Sequence, residues 1–246
     1  MYKIGMLTAA AALGVLAAGV ACANPVTFFG QDQSPNSSTV NSNNAHTQFM
    51  AHLASGVGTE DFEGFTPGSY SSLSVSFPGS TGSIGATLTG SDDVIYSGPN
   101  GVGGFPISGN LYLASYENFN LAFSSPISAF GFYGTDIGDV GGDLVLTLTL
   151  SDGSTVTITV PTSGSWSGNQ LFWGFFDPTE SVTNIAFGNT AGGADFFGFD
   201  DMTIGDPQQV IVHPVPEPAN LAMLGLGLLG MIPLLLLRRR RVSMKA

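Results

Sequence analysis

The chain is 246 residues long, carries a formal net charge of −12 at pH 7, and contains 34 glycines, 14 prolines and one cysteine. Its six Lys and Arg residues all lie near the two ends, whereas all 18 acidic residues lie between Asp32 and Glu217. Binding to a phosphate backbone needs Lys or Arg to displace counterions, so this composition argues against nucleic acid and against an anionic membrane surface as partners. Each carboxylate must instead be solvated, hydrogen-bonded or bound to a cation.

The N-terminus has the pattern of a cleavable export signal. Lys3 precedes a long apolar run rich in Ala and Leu, and Ala21 and Ala23 then form the small-residue pattern that signal peptidase recognises. We therefore predict a signal peptide over 1–23. Lipoprotein processing at Cys22 is the alternative, but the residue three positions earlier is Gly where such a signal usually has Leu. Cleavage after Ala23 leaves a mature chain without cysteine, which excludes disulfides and thiol chemistry.

The segment over 24–206 is long enough for one domain with its own hydrophobic core. Its many Gly and Pro residues favour short strands and turns over helices. One short helix is predicted, with Asn44 as its cap and Phe49, Met50 and Leu53 facing inward. After this helix, about eleven short segments show strand-like patterns and are separated by Gly, Pro, Ser or Asp.

The clearest strand pair is the stretch LVLTLTLSDGSTVTITV over 144–160. Four leucines at alternate positions share one face, the SDGS stretch forms a turn, and threonines then alternate with Val156, Ile158 and Val160. This pattern predicts a β-hairpin with an apolar inner face and a threonine outer face. Strands of this kind along the whole segment predict an all-β domain, an antiparallel jelly-roll-like β-sandwich.

Acidic residues recur near both ends of this domain and in one glycine-rich loop between them. Ca²⁺ takes about six to eight oxygen ligands, which carboxylates and a flexible loop supply. Because antiparallel closure brings the first and last strands together, we predict a structural Ca²⁺. The alternative is that these are solvated turn residues, as Asp often is. The predicted ligands are Asp61, Glu63, Asp136, Asp139, Asp200 and Asp201.

The stretch EDFE over 60–63 raises a second hypothesis, a polysaccharide-active glycoside hydrolase. A retaining hydrolase needs two carboxyl groups about 5 Å apart. Glu60 and Asp61 are adjacent and would point to opposite faces of a strand, which leaves only Asp61 and Glu63 on one face. The three histidines lack the spacing of zinc ligands or of a nucleophile motif. We therefore assign no catalytic residue.

Aromatic residues support a binding hypothesis that needs no charged side chain. Trp166 lies in the Ser/Gly-rich stretch TSGSWSGNQ, where an exposed ring would stack on the face of a sugar. Trp173 lies in LFWGFF, which has a strand pattern, and we expect its ring in the core. Trp166 is therefore the candidate residue for sugar stacking.

The C-terminal stretch VPEPANLAMLGLGLLGMIPLLLLRRRR follows a linker over 207–215. Residues 219–237 carry no charge and, at about 1.5 Å per residue, are long enough to cross a bilayer as a helix. By the positive-inside rule, the arginines after this helix stay on the cytoplasmic side. These arginines are Arg238, Arg239, Arg240 and Arg241. A plain membrane anchor explains the span but leaves one tripeptide unexplained. It consists of Pro216, Glu217 and Pro218.

This tail resembles the PEP-CTERM sorting signal, which has a Val-Pro-Glu-Pro motif, a Gly/Leu-rich span and an Arg cluster in the same order. We place the signal over 216–241. The resemblance implies recognition by an exosortase, a membrane-embedded cysteine transpeptidase-like enzyme that cuts near the tripeptide, in Gram-negative bacteria that make extracellular polysaccharide. The same kind of segment is also known as an ice-binding protein C-terminal domain, a label that describes the tail and does not indicate ice binding.

The body resembles PEP-CTERM proteins with a β-sandwich domain in the stretches TEDFEGF, SAFGFYGTDIGDVGGDLVLTL and ADFFGFDDMTIG, and this group has no established activity to carry over. Together these features predict an exported protein that is held briefly in the inner membrane and then moved to the cell surface or the extracellular matrix. We expect a non-enzymatic structural or carbohydrate-binding role linked to exopolysaccharide. Glycoside hydrolysis is the alternative.

Overall fold

The computed structural model describes residues 25–33, 38–116, 118–162, 167–191 and 195–211. The chain divides into two compact units, Met1–Val210 and Ile211–Ala246, and the fold given below is that of the first. Among the described residues, no helix is long and apolar enough to span a membrane. The predicted signal peptide, Trp166, the sorting tripeptide and the arginine cluster lie outside the described residues.

One helix and twelve strands form the described part of the fold, and their pairings are antiparallel throughout. The prediction of an antiparallel β domain is therefore confirmed. The helix α1 is Val40–Met50. The strands are β1 (Val26–Asp32), β2 (Thr59–Glu60), β3 (Gly68–Gly79), β4 (Gly82–Ser97), β5 (Leu111–Ser115), β6 (Phe119–Ile127), β7 (Ala129–Thr135), β8 (Leu144–Leu150), β9 (Thr155–Thr159), β10 (Gln170–Phe176), β11 (Val182–Asn189) and β12 (Phe197–Gly205).

The strands form one continuous sheet whose two halves share a common core. The strand order is β1-β10-β7-β12-β5-β4-β6-β11-β8-β9, with β2 added on β12 and β3 on β4. The long strand β4 joins the halves, because it pairs with β6 through 86–90 and with β5 through 93–97. Large side chains from both halves, among them Trp173, Phe132 and Leu146, belong to one buried cluster. The alternating apolar residues thus build a sandwich-like core from a single curled sheet.

The half built from β10, β7, β12 and β5 is covered on its outer face as well. Phe49 of helix α1 packs against Gly131 and Gly174, which pair across β7 and β10. Residues 98–110, which we call the groove loop, connect β4 to β5 and contact the outer face of β5, β7 and β12. Because both faces are covered, β7 and β10 are buried along their whole length, whereas β9 alternates between exposed and half-buried residues.

The helix begins earlier than predicted. It starts at Val40, and Asn44 lies inside it rather than at its cap. The carboxylate of Asp32 accepts hydrogen bonds from the backbone N–H groups of Asn41 (3.1 Å) and Ser42 (2.9 Å). A side chain of β1, a strand that the sequence patterns do not predict, therefore satisfies the first-turn donors. Of the residues predicted to face inward, Phe49 and Leu53 are buried and Met50 is half-buried.

The predicted hairpin is confirmed. Leu146 pairs with Ile158 and Leu148 with Val156 in the antiparallel register of β8 and β9. The first three leucines of β8 are buried, whereas the threonines of β9 are exposed. Gly153 has a φ of 86° in the turn, a left-handed value that glycine adopts without strain. Local alternation was sufficient to predict this element because both of its strands are neighbours in sequence.

Candidate functional site

The groove loop forms an open depression on the outer face of the sheet. It contains five glycines and two prolines, and together with Ser167 and Gly168 it lines a groove of about 590 Å³. The side-chain oxygen of Asn100 accepts the N–H groups of Val102 and Gly104, both at 3.0 Å, and so folds the loop on itself. A ligand in this groove would meet backbone groups and small side chains.

Two acidic residues of β12 hold the far end of the groove loop. One oxygen of Asp200 accepts the N–H groups of Ile107 (2.7 Å) and Ser108 (3.1 Å), and the other accepts the N–H of Asp201 (2.8 Å). Asp201 accepts the hydroxyl of Ser108 (2.7 Å). Burial first, and then the Asp201 charge, raise the pKa of Asp200 to about 7, while the three N–H donors act in the opposite direction. The contacts of both residues secure the loop.

Glu63 secures the loop where β5 begins, and it does so from a turn. Its Oε1 accepts the N–H groups of Asn110 (2.6 Å) and Leu111. The prediction that Asp61 and Glu63 share a strand face is wrong, because β2 ends at Glu60 and the chain turns there. Asp61 accepts the N–H of Glu63 (3.1 Å) inside that turn. The expected carboxyl pair of a hydrolase is therefore engaged with backbone donors. We call Glu63, Asp200 and Asp201 the fastening carboxylates.

Three other acidic residues, Asp136, Asp139 and Asp195, form what we call the carboxyl cluster. Asp136 directly follows β7 and accepts the N–H of Gly168 (2.9 Å), a residue that lines the groove. Burial first, and then the charges of Asp139 and Asp195, raise the pKa of Asp136 to about 6. Burial and a contact with Asp139 likewise raise the pKa of Asp195 to about 6. The charges of this cluster repel one another, a side-chain hydrogen bond joins Asp195 to Asp139, and no cationic neighbour lies among the described residues.

Two oxygens of the carboxyl cluster have no hydrogen-bond donor. Oδ1 of Asp139 and Oδ1 of Asp195 are buried and, within the described part of the chain, accept no hydrogen bond. Asp195 is only 1% exposed and Asp136 only 2%. Buried carboxylates are normally neutralised by a proton, a cation or a set of donors. Asp136 and Asp195 also accept the N–H groups of Gly168 and Gly142, so the cluster differs from the fastening carboxylates in its two buried oxygens without a donor and in the mutual repulsion of its charges.

These placements divide the predicted calcium ligands into two groups. Asp61 acts electrostatically on Asp201, at the end of the groove loop that Asp200 and Glu63 also hold. Asp136 and Asp139 instead adjoin Asp195. No three acidic, histidine or cysteine side chains among the described residues are arranged to hold a metal ion. Calcium binding stays a prediction from the sequence.

Backbone strain is concentrated in the same segments. The described non-glycine residues with positive φ are Phe62 (58°), Asp136 (61°) and Asp201 (48°). Asp tolerates the left-handed region, whereas a bulky residue such as Phe is strained there. Phe62 directly precedes Glu63, and the other two belong to the two acidic groups. Strain of this kind is typical of functional segments, where surrounding contacts fix an unfavourable conformation.

Two polar groups without partners lie beneath the groove floor. Tyr112 Oη and Asn100 Nδ2 are buried and form no hydrogen bond with the described residues. Each lies 2.8 Å from the point where a Cβ on Gly104 would be, so both groups face the same place under the loop. Burial raises the pKa of Tyr112, which keeps its hydroxyl protonated. An unpaired buried polar group costs about 1–3 kcal/mol, so a hydroxyl-bearing ligand or a water would be stabilised here.

Aromatic rings extend this site across the outer face of the sheet. Tyr112 stacks on Tyr96 of the neighbouring strand, with ring centroids 5.9 Å apart. Phe196 contacts Tyr96 at 5.6 Å and Tyr116 at 4.2 Å, both edge to face. Tyr116 is 37% exposed and Tyr96 is half-buried. We call Tyr96, Tyr116 and Phe196 the tyrosine patch. It combines apolar ring faces with hydroxyl groups, as sugar-stacking surfaces do.

The sequence patterns missed most of this site. Asn100, Tyr112 and the two tyrosines of the patch belong to none of the motifs singled out above, and Asp195 was not among the predicted ligands. The sequence feature that could have indicated the site is the run GPNGVGGFPISGN. Its five glycines indicate a loop whose backbone lies close to other groups of the protein or to a ligand. The predicted sugar-stacking residue Trp166 lies outside the described residues, although the next two residues, Ser167 and Gly168, line the groove.

No protein-family model matches the chain, and no curated protein matches it. Among solved structures, the K2 cleaved adhesin domain of Lys-gingipain is 14% identical, with a TM-score of 0.38 over 61% of this chain and 98% of that one. TmCBM61 in complex with β-1,4-galactotriose is 14% identical, with a TM-score of 0.30 over 48% and 86%. The family 11 carbohydrate-binding module of Lic26A-Cel5E of Clostridium thermocellum is 14% identical, with a TM-score of 0.27 over 65% and 100%. At these TM-scores the likenesses support no functional inference.

Proposed function

We propose that this protein is an exported, non-enzymatic carbohydrate-binding protein of the cell surface or extracellular matrix. One observation carries the proposal: Tyr112 Oη and Asn100 Nδ2 lie buried and unpartnered under an open groove, beside partly exposed tyrosines. A sugar hydroxyl that enters beneath Gly104 would satisfy both polar atoms, and the flat apolar faces of the sugar would stack on the rings. Neither interaction needs a cationic side chain, and this domain has no Lys or Arg.

The tyrosine patch and the groove are suited to act as one surface. The ring of Tyr112 touches the patch through Tyr96, and its hydroxyl lies next to the groove residue Gly104. A linear chain of sugars lying across both would stack on Tyr116 and bind backbone groups of the loop. The fastening carboxylates hold this loop in place before a ligand arrives, which lowers the entropy lost on binding.

A binding assay on paired variants tests this function. The purified full chain in detergent micelles is titrated with a panel of linear neutral oligosaccharides. Tyr116→Ala removes a stacking face and should weaken binding about three- to tenfold. Tyr112→Phe removes a hydroxyl that has no partner in the described fold, so it should weaken binding by a similar factor without lowering the thermal midpoint.

Phe29→Ala is the matched control, because Phe29 is 38% exposed on strand β1 and takes no part in the groove or the patch. Equal losses in Phe29→Ala and Tyr116→Ala would contradict the proposed surface. The same incubations are assayed for new reducing ends. Their release by the wild-type protein would favour the hydrolase alternative over a binding protein.

The export route is the second part of the proposal. The N-terminal pattern supports removal of the signal peptide by signal peptidase. The C-terminal apolar span with its arginine cluster supports transient anchoring in the inner membrane, and the tripeptide over 216–218 supports processing by an exosortase. Replacing Pro216, Glu217 and Pro218 by alanine should leave an unprocessed chain in the inner membrane, detected by fractionation and immunoblot. Normal release of that variant would make the tail an ordinary anchor.

A further inference from the structure

The groove floor carries negative charge that no cation offsets, and we propose that this charge restricts the ligand to glycans without acidic groups. The inference rests on the proposed carbohydrate binding and adds the chemical class of the sugar. It assigns a specificity-determining role to Asp136. The groove would reject chains that carry uronic acids, whereas it would accept neutral chains.

The position of Asp136 connects the carboxyl cluster to the groove. Its carboxylate lies so close to Gly103 that a Cβ added at Gly103 would overlap it. It also accepts the N–H of Gly168 (2.9 Å), and both glycines line the groove. Because the residues above the carboxylate have no side chains, only backbone separates its charge from a bound ligand.

Among the described residues, the N–H of Gly168 and the hydroxyl of Ser167 donate to this carboxylate, but no cationic group lies beside it. Asp139 and Asp195 act on Asp136 with the same sign, and each of these two neighbours has a buried oxygen without a donor. The domain contains no Lys or Arg. Burial lowers the pKa of the half-buried His46, and the charge that acts on this histidine is that of Asp201 rather than Asp136. A ligand carboxylate in the groove would therefore add a further anion to a site that already disfavours negative charge.

The charge of an oligosaccharide can be changed without changing its linkages or its length. The neutral oligosaccharide that binds best is oxidised at its C6 hydroxyls to the uronate, and part of that product is converted to the methylamide. The three chains share linkage and length, and the amide restores neutrality at a size close to that of the acid. Binding is measured at pH 8, above the raised pKa values of about 6 in the carboxyl cluster, with EDTA present so that no divalent cation bridges two carboxylates.

We expect the uronate to bind at least about fivefold more weakly than the neutral chain at 0.1 M salt, and the amide to recover most of the loss. At about 1 M salt, where the screening length falls to roughly 3 Å, the difference should shrink to within about twofold. A uronate that binds as well as the neutral chain at low salt overturns the inference. An amide as weak as the acid also overturns it, because size rather than charge would then explain the loss.

Asp136→Asn tests the assignment to one residue. Asparagine keeps an oxygen that accepts the Gly168 N–H, so the loop contact survives while the charge is removed. The variant should improve uronate binding about threefold and change neutral binding less than twofold. Asp152→Asn, in the exposed turn between β8 and β9, is the matched control and should change neither. Failure of every oligosaccharide to bind would instead refute the proposed function, so the two failures are distinguishable.

Discussion

The two acidic groups beside the groove loop are alike in composition and opposite in their surroundings. Asp200 accepts three backbone N–H groups, and Glu63 accepts two. In the carboxyl cluster, by contrast, Asp139 and Asp195 each have a buried oxygen that accepts nothing from the described residues. Burial raises the pKa of Asp200, Asp136 and Asp195 alike, so burial alone does not separate the two groups.

The difference lies in what each carboxylate does for the backbone. Removing Asp200 leaves three amide donors unpaired, and removing Glu63 leaves two. Removing the charge of Asp136 or Asp195 affects one or two donors and also relieves repulsion within the cluster. The first group therefore stabilises the loop, and the second imposes a cost that the fold tolerates. Such a cost is expected at a functional surface, where stability is exchanged for a particular electrostatic field.

Asp200→Ala should have the largest effect. It leaves the N–H groups of Ile107, Ser108 and Asp201 without their acceptor, so the free energy of unfolding should fall by about 2–4 kcal/mol. Urea denaturation followed by tryptophan fluorescence measures this change. Asp152→Ala is the control: it removes the acceptor of the Ser154 N–H and hydroxyl in an exposed turn, where water replaces it, so stability should fall by less than about 1 kcal/mol. A loss as small as that of the control would show that Asp200 does not fasten the loop.

Acidification should increase the free energy of unfolding, and we expect this change to be the next largest after that of Asp200→Ala. The folded-state pKa values of Asp136 and Asp195, about 6, and of Asp200, about 7, lie above the ordinary value of 3.8. A raised carboxyl pKa means that the folded state binds protons more tightly than the unfolded state, so stability is lost as pH rises through 6–7 and regained as it falls. Because the charges of Asp136 and Asp195 act on each other, their shifts do not add in full, and the free energy of unfolding should rise by at least about 2 kcal/mol from pH 8 to pH 5. A decrease over that range would contradict the pKa assignments.

Asp195→Asn should stabilise the protein at pH 8 by about 1 kcal/mol, a smaller effect of the opposite sign to that of Asp200→Ala. The new amide removes one charge and provides an N–H donor for the neighbouring carboxylate of Asp139. It should also flatten the pH dependence between pH 8 and pH 5. Thermal melts of the variant and the wild type at both pH values check this, and a destabilised variant would show that the charge of Asp195 is compensated.

The test of the calcium prediction has the smallest expected change in the free energy of unfolding. If a site exists, Ca²⁺ at roughly five times its Kd should raise the free energy of unfolding by about 1 kcal/mol, and EGTA should reverse the change. Mg²⁺ at the same concentration is the control for screening by a divalent ion. An unchanged thermal midpoint would overturn the prediction.

Elements built from neighbours in sequence were predictable. The leucine and threonine alternation over 144–160 gave the β8–β9 hairpin with its turn and its buried face, because every pairing in it is local. The helix start and the strand assignment of Glu63 were wrong for the converse reason. Asp32 caps the helix from another element, and Glu63 bonds to residues that follow it by more than forty positions in the chain.

The sequence by itself determined the charge balance, the antiparallel β character and the alternation that fills the core, because these depend on composition and on short-range periodicity. Only the tertiary structure decided which carboxylates are paired with donors and which are left to repel one another. That division depends on contacts such as the donor contact of Ile107 with Asp200 and the interaction of Asp139 with Asp195, which join residues distant in sequence. The types of side chain thus follow from the sequence alone. The free energy of ionising each carboxyl group depends instead on the donors and charges that folding brings next to it.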